Sequence, residues 1–151
     1  MLKDKIVKIA NDFGLEAHAT PKGVTIILLD AKVRVSTSGW IGRGKARRPG
    51  YLVRIQYYTP PKFTRDWTYP NPERLLKGLL SILELETKRI EGYREMARLR
   101  ADFLRRNYSR EELLSGLRPY IHRGEVNPRW TKKRLITFTL QREGYGRYLD
   151  Y

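Results

Sequence analysis

The chain has no cysteine and only two histidines, His18 and His122. The first absence excludes disulfides and thiolate metal sites, and two imidazoles are too few for a histidine-built metal centre. Acids are scarce as well, with 16 Asp and Glu against 31 Lys and Arg. Asn and Gln number six together, and with 31% charged residues this scarcity of thermolabile amides leans toward a heat-adapted source. No apolar run approaches the roughly 20 residues of a membrane span. The N-terminal Met1-Leu2-Lys3-Asp4 opens into an amphipathic pattern rather than a leader. The chain therefore reads as intracellular and cytoplasmic, without membrane contact, and nothing in it implies a cofactor.

What is present is positive charge. The formal net charge is +15, from 20 Arg and 11 Lys. Such an excess repels itself in a folded domain and calls for a polyanionic partner. Arginine's planar fork matches phosphate geometry and stacks on bases, so its predominance over lysine points to recognition rather than solubility. Nucleic acid, DNA or RNA, is the expected partner, and an acidic protein is the rival. At 151 residues the chain fits one basic α+β domain over 1–143, followed by a flexible Tyr/Gly-rich tail over 144–151.

Apolar spacing predicts a first helix over 2–13, with Leu2, Ile6, Ile9, Ala10 and Phe13 on one face and Gly14 as its stop. Four strands follow, Leu15 to Ala19, Val24 to Leu29, Lys32 to Ser38 and Tyr51 to Tyr58, with Thr20-Pro21-Lys22-Gly23 and Asp30-Ala31 as tight links. Pairing Ala19 with Val24, Leu28 with Val33 and Arg34 with Gln56 gives one apolar face from Leu15 to Tyr57. The other face carries His18, Thr25, Ile27, Leu29, Lys32, Arg34, Ser36, Arg54, Gln56 and Tyr58, a mix of cations, hydroxyls and an aromatic able to track a phosphate backbone and stack a base. Residues 59–72 read as a Pro- and aromatic-rich connector without a regular element.

A long helix runs from Pro72 to about Asn107 and is expected to cover the sheet. Its period of seven at Leu76, Leu83, Ile90, Ala97 and Leu104 also allows two copies to pair as a homodimer. Ser109-Arg110-Glu111-Glu112 is a capping box that starts a separate short helix, distorted at Pro119 and ended by Gly124. Alternation of Ile136, Phe138 and Leu140 reads Arg134 to Arg142 as a C-terminal strand.

The sharpest local feature is the arm Gly39 to Gly50, which holds Arg43, Lys45, Arg47 and Arg48 with no acid. A glycine-rich basic segment of this kind can follow a groove and neutralise several phosphates, with Trp40 and Ile41 placed to stack or wedge. Gly39, Gly44 and Lys45 match the phosphate-loop spacing G-x-x-x-x-G-K. Ala46 stands where magnesium needs a hydroxyl, however, and Arg47-Arg48-Pro49-Gly50 is no helix start. A second basic group, Arg98, Arg100, Arg105, Arg106 and Arg110, is interleaved with Glu91, Glu95 and Asp102, which makes surface ion pairing its default reading. A third group, Arg118, His122, Arg123, Arg129, Lys132, Lys133 and Arg134, has only Glu125 against it and includes Trp130.

No catalytic constellation stands out. Glu86-Thr87-Lys88 has the E-x-K spacing of metal-dependent nucleases but falls in the long helix, and a nuclease built on Asp30 or Asp66 is the third reading. The order helix, antiparallel strands, helix over residues 2–90 resembles a double-stranded RNA-binding domain. It departs from that family in having four strands rather than three, and in opening its second helix with Asn71-Pro72-Glu73-Arg74 where the family places lysines.

The sequence thus predicts a nucleic-acid-binding α+β protein without evident catalysis. Arg43, Lys45, Arg47, Arg48, Lys32, Arg34, Arg54, Trp40, Tyr58, Arg129, Lys132 and Lys133 are its candidate contacts. The alternative is a small regulatory module docking on an acidic surface of a larger machine, anchored by Trp40, Tyr58, Trp67 and Tyr69. A small basic protein of that kind would suit a virus or mobile element.

Overall fold

The computed structural model describes residues 1–59 and 61–149. Pro60, Asp150 and Tyr151 lie outside the described residues, so the expected flexible tail meets the structure only at 144–149. The chain is α+β, and its contacts divide it into two compact units, Met1–Arg89 and Ile90–Tyr151.

The first unit opens with α1 (Leu2–Asp12), which buries Ile6 and Ala10 and contacts the first two strands. β1 (Glu16–Thr20), β2 (Gly23–Ile27) and β3 (Ala31–Ser36) form successive hairpins. The arm that follows β3 contains the two-residue strands β4 (Trp40–Ile41) and β5 (Arg48–Pro49). β6 (Tyr51–Tyr57) and β7 (Thr64–Tyr69) complete an antiparallel sheet of order β1-β2-β3-β6-β7.

The sheet thus has five strands, where four are expected. β7 lies in the stretch read as an irregular connector, because the prolines that suggest a connector all fall outside Thr64–Tyr69. Its six residues pair with β6 throughout, Val53 opposite Trp67 and Arg54 opposite Asp66.

Ala19 pairs with Val24 as expected, but Ile26 rather than Leu28 faces Val33, and Arg54 rather than Gln56 faces Arg34. Both slips are of two residues, so every side chain keeps its face. The first follows from the β2–β3 turn. Leu28 N–H donates to the Ala31 carbonyl at 2.9 Å, which makes Leu29-Asp30 the linking pair rather than Asp30-Ala31. The apolar face is buried accordingly, with Val24, Ile26, Val33, Val35, Val53 and Ile55 at most 2% exposed.

Helix α2 (Pro72–Asn107) begins where Pro72 suggests, and the Asn71 side-chain carbonyl accepts from Arg74 N–H at 2.9 Å. Its first part buries Leu75, Leu79 and Leu83 and meets the sheet at named points. A side chain at Gly78 would come within 2.3 Å of the Tyr69 ring, so glycine lets helix and edge strand approach. The Tyr57 hydroxyl donates to Glu86 Oε1 at 2.6 Å. Leu83, Ile90, Ala97 and Leu104 of the seven-residue repeat are buried within the chain.

In the second unit, α3 (Arg110–Gly116) starts at the expected capping box. Ser109 Oγ accepts from Glu112 N–H at 3.1 Å, and Ser109 N–H donates to Glu112 Oε1 at 3.1 Å. Pro119 sits in the first turn of a new helix, α4 (Arg118–His122), where its missing N–H costs nothing. The expected C-terminal strand is instead helix α5 (Lys132–Arg142). Thr131 caps it, its hydroxyl accepting from Arg134 N–H at 3.3 Å, and Leu135, Ile136 and Leu140 turn inward at helical spacing. Within the helix the hydroxyls of Thr137 and Thr139 donate back to the carbonyls of Lys133 and Leu135. The unit's core joins Leu104, Leu113, Leu117, Val126, Leu135 and Leu140. Gly146–Tyr148 forms one 3-10 turn, and Tyr148 is buried with its ring stacked 4.9 Å from that of Tyr93. Among the described residues no helix is long and apolar enough to cross a membrane.

Candidate nucleic-acid interface

The arm is an ordered ribbon. Trp40 faces Pro49, Ile41 faces Arg48, and Gly50 N–H donates to the Gly39 carbonyl at 2.9 Å. Gly42 at φ 85° and Gly44 at φ 58° adopt the left-handed backbone that reverses the chain into a short 3-10 turn, Gly44–Ala46. An extended segment follows that turn, so no helix stands where a phosphate loop needs one.

All four arm cations are exposed, and among the described residues no acid pairs with Arg43, Lys45, Arg47 or Arg48. The Arg47 guanidinium lies 4.4 Å from the centroid of the Trp40 ring, and Trp40 is 46% exposed. That stack takes up part of the ring and holds a guanidinium whose in-plane N–H groups stay open to a ligand.

On the polar sheet face, the strand register lines up His18, Thr25, Arg34, Arg54 and Asp66 in one row across all five strands. Arg34 is exposed and has no ion pair among the described residues. Arg54 is different. Its Nε and Nη2 donate to the two oxygens of Asp66 at 2.8 and 2.9 Å. The hydrogen bond from Arg54 holds the Asp66 carboxyl below its usual range, and the bond to Asp66 raises Arg54 in turn. Asp66 lies on β7, in the stretch whose sequence predicts a connector. Lys32, in the neighbouring row beside Gln56, is half-buried. A groove of about 370 Å³ on the sheet is lined by Thr20, Lys22, Thr25, Arg34, Ser36 and Arg54 among others.

Tyr58 is half-buried, and its N–H donates to the Asp30 carbonyl at 3.0 Å. Of the aromatic anchors for a protein partner, Tyr69 meets Gly78, and Trp67 is half-buried with the Arg65 guanidinium 4.9 Å from its ring centre. Trp40 is the most exposed of the four.

The structure divides the third basic group. Lys132 donates to the Arg105 carbonyl at 2.6 Å and, with Lys133, lines a groove of about 770 Å³ that also takes in Glu91, Glu95 and Asp102. Arg129 is exposed, with its backbone N–H on the Asn127 side chain. Arg98 and Arg105 pair with Glu95 and Asp102 one turn away, as the interleaved charges suggest.

Sequence reasoning missed a buried polar cluster in the first unit. Asp30, fully buried, receives two N–H donors from Arg89, whose Nε donates to Glu86 at 2.7 Å. Burial first, and then the hydrogen bond to Glu86, push the Tyr57 phenol up to about 12. Asp30 and Asp66, the acids considered for a metal nuclease, are thus both held by guanidinium groups. The E-x-K spacing does lie in helix, where Lys88 pairs with Glu84 rather than Glu86. Comparison of the chain with family models, with curated proteins and with solved structures gave no match.

Proposed function

We propose that the protein binds nucleic acid through its phosphate backbone and without base-specific readout. The observation that carries this reading is the arm, with four exposed cations on an ordered ribbon and, among the described residues, no acid paired to any of them. An isolated solvated loop has no need of such one-signed charge, whereas each cation that meets a phosphate releases a condensed counterion. Arg34 and Lys32 extend the positive surface onto the sheet. Arg54 contributes less because Asp66 already satisfies its fork. Trp40 offers a ring to a base while holding Arg47, and Arg129, Lys132 and Lys133 add charge in the second unit. No catalytic step is assigned to these residues.

The test replaces Arg43, Lys45, Arg47 and Arg48 together by Ala and measures affinity for labelled DNA and RNA as salt is varied. The slope of log affinity against log salt should become shallower by about 3 to 4 units, near 0.9 for each duplex-DNA phosphate that is no longer neutralised. An unchanged slope would move the site elsewhere. Binding to an acidic protein with little salt dependence, and none to nucleic acid, would favour the docking-module reading.

A further inference from the structure

The second unit's net charge lies in one stretch. Residues 118–142 hold seven cations, Arg118, Arg123, Arg129, Lys132, Lys133, Arg134 and Arg142, against the single acid Glu125. Residues 90–117 hold six cations against five acids, so they are nearly balanced. This asymmetry is accompanied by a particular geometry. The guanidinium groups of Arg123 and Arg142 each lie 4.8 Å from the centroid of the Tyr120 ring, and that of Arg134 lies 4.2 Å from the Trp130 ring. Phe138 joins the two, edge-on to Tyr120 at 5.3 Å and tilted against Trp130 at 6.0 Å. All three rings are half-buried against the unit's core, so the arginines are seated on fixed platforms.

An arginine lying on an aromatic ring keeps its N–H fork free in the guanidinium plane while losing much of its rotamer freedom before any ligand arrives. Arg134 and Arg142 have no ion pair among the described residues, and Arg123 engages Glu125 at 3.7 Å and the Pro119 carbonyl at 3.3 Å through Nε alone. Three other arginines of the unit are held by acids. Arg98 and Arg105 are matched to acids on their own helix, and Arg100 donates two nitrogens to Glu143. Because all three rings are half-buried, unlike the exposed Trp40, and two of them already carry guanidinium groups, this surface is suited to phosphates rather than to stacked bases.

The geometry points to a second polynucleotide-backbone site, formed by Arg123, Arg134 and Arg142 on the Tyr120-Phe138-Trp130 platform, with Arg118 at the start of α4 beside it in sequence. It rests on the nucleic-acid reading above and adds to it. The protein contacts phosphates through each of its two units, so neither the arm nor this surface alone accounts for its salt dependence.

The experiment compares four full-length proteins, each checked for retained helicity, binding a labelled mixed-sequence duplex across a salt series. They are the wild type, the arm variant, the triple variant Arg123→Gln/Arg134→Gln/Arg142→Gln, and a control, Arg98→Gln/Arg105→Gln. The triple variant should lower the slope by about 2 to 3 units, while the control, with its arginines already paired, stays near the wild type. On the wild type, bound duplex should also shield Arg123, Arg134 and Arg142 from an arginine-specific dicarbonyl reagent. If the wild type binds and the arm variant weakens it, yet the triple variant tracks the control and Arg123, Arg134 and Arg142 of the duplex-bound wild type stay reactive, the second site is wrong and the arm reading stands. A wild type that binds no duplex or single strand at any salt would overturn both.

Discussion

Arg89 grips Asp30 with two parallel hydrogen bonds, Nη1 to Oδ2 at 2.6 Å and Nη2 to Oδ1 at 2.8 Å, although the two lie 59 positions apart. Asp30 occupies the β2–β3 turn and is fully buried, so the pair fastens that turn to helix α2. Breaking a buried ion pair from one side leaves the other charge uncompensated, at a cost of about 3 to 5 kcal/mol. Asp30→Ala and Arg89→Ala should each lower the denaturation midpoint by a large fraction of total stability, and the double variant should cost less than their sum. A chemical-denaturation double-mutant cycle reads both quantities, and additive effects would mean that the pair does not act as a unit.

Tyr57 donates to Glu86 in the same cluster, and its phenol is pushed from about 10 to about 12, first by burial and then by that hydrogen bond. A proton held more tightly in the folded state stabilises the fold fully below the unfolded pKa. That contribution is lost as pH rises through the folded value. The stability difference between wild type and Tyr57→Phe should therefore be constant below about pH 10 and fall between about pH 10 and 12, in the direction of the shift. Unfolding curves over that range, together with a difference titration of tyrosinate absorbance, measure it.

Two glycines make opposite predictions. A Cβ on Gly23 would lie 1.9 Å from the Val35 carbonyl oxygen, a backbone atom of the neighbouring strand, so Gly23→Ala must push the β2–β3 pair apart. Overpacking of this kind costs about 1 to 3 kcal/mol. Gly92 lies within α2, and a Cβ added there would meet nothing within 4 Å, so Gly92→Ala should stabilise by up to about 1 kcal/mol through helix propensity alone. Thermal unfolding of the two variants should move in opposite directions.

The fold was legible where physical signals agreed. Ser109 and Glu112 announced the start of α3 by spacing alone, and Pro72 did the same for α2. Alternation placed Val24, Ile26, Val33, Val53 and Ile55 on the buried face even though the register was out by two, because an even slip preserves the pleat. It failed where tertiary context overrode local pattern. Ile136, Phe138 and Leu140 alternate like a strand, but Thr131 caps a helix and Leu135 needs the core. Thr64–Tyr69 was hidden by flanking prolines, although its own threonines and aromatics favour a strand. That omission hid Asp66 as well, and so gave Arg54 more freedom than it has. The arm cations were readable from composition, whereas the seating of Arg142 on Tyr120 joins residues 22 apart and required the helix that the alternation concealed.

Asp66 also sets a prediction of its own. It neutralises Arg54 on the polar sheet face, so Asp66→Asn should release that guanidinium to a phosphate. Affinity for nucleic acid should rise, and the salt slope should steepen by up to about one unit. A fall in affinity with the fold intact would mean that the pair itself shapes the surface.

The most direct test of the central claim is a fluorescence-anisotropy titration of the wild-type protein against labelled DNA and RNA, single- and double-stranded, between about 50 and 200 mM salt. Saturable binding whose log affinity falls linearly and steeply with log salt, and which differs little between sequences of one type, is the predicted result. No binding to any of these ligands at the lower salt would contradict it.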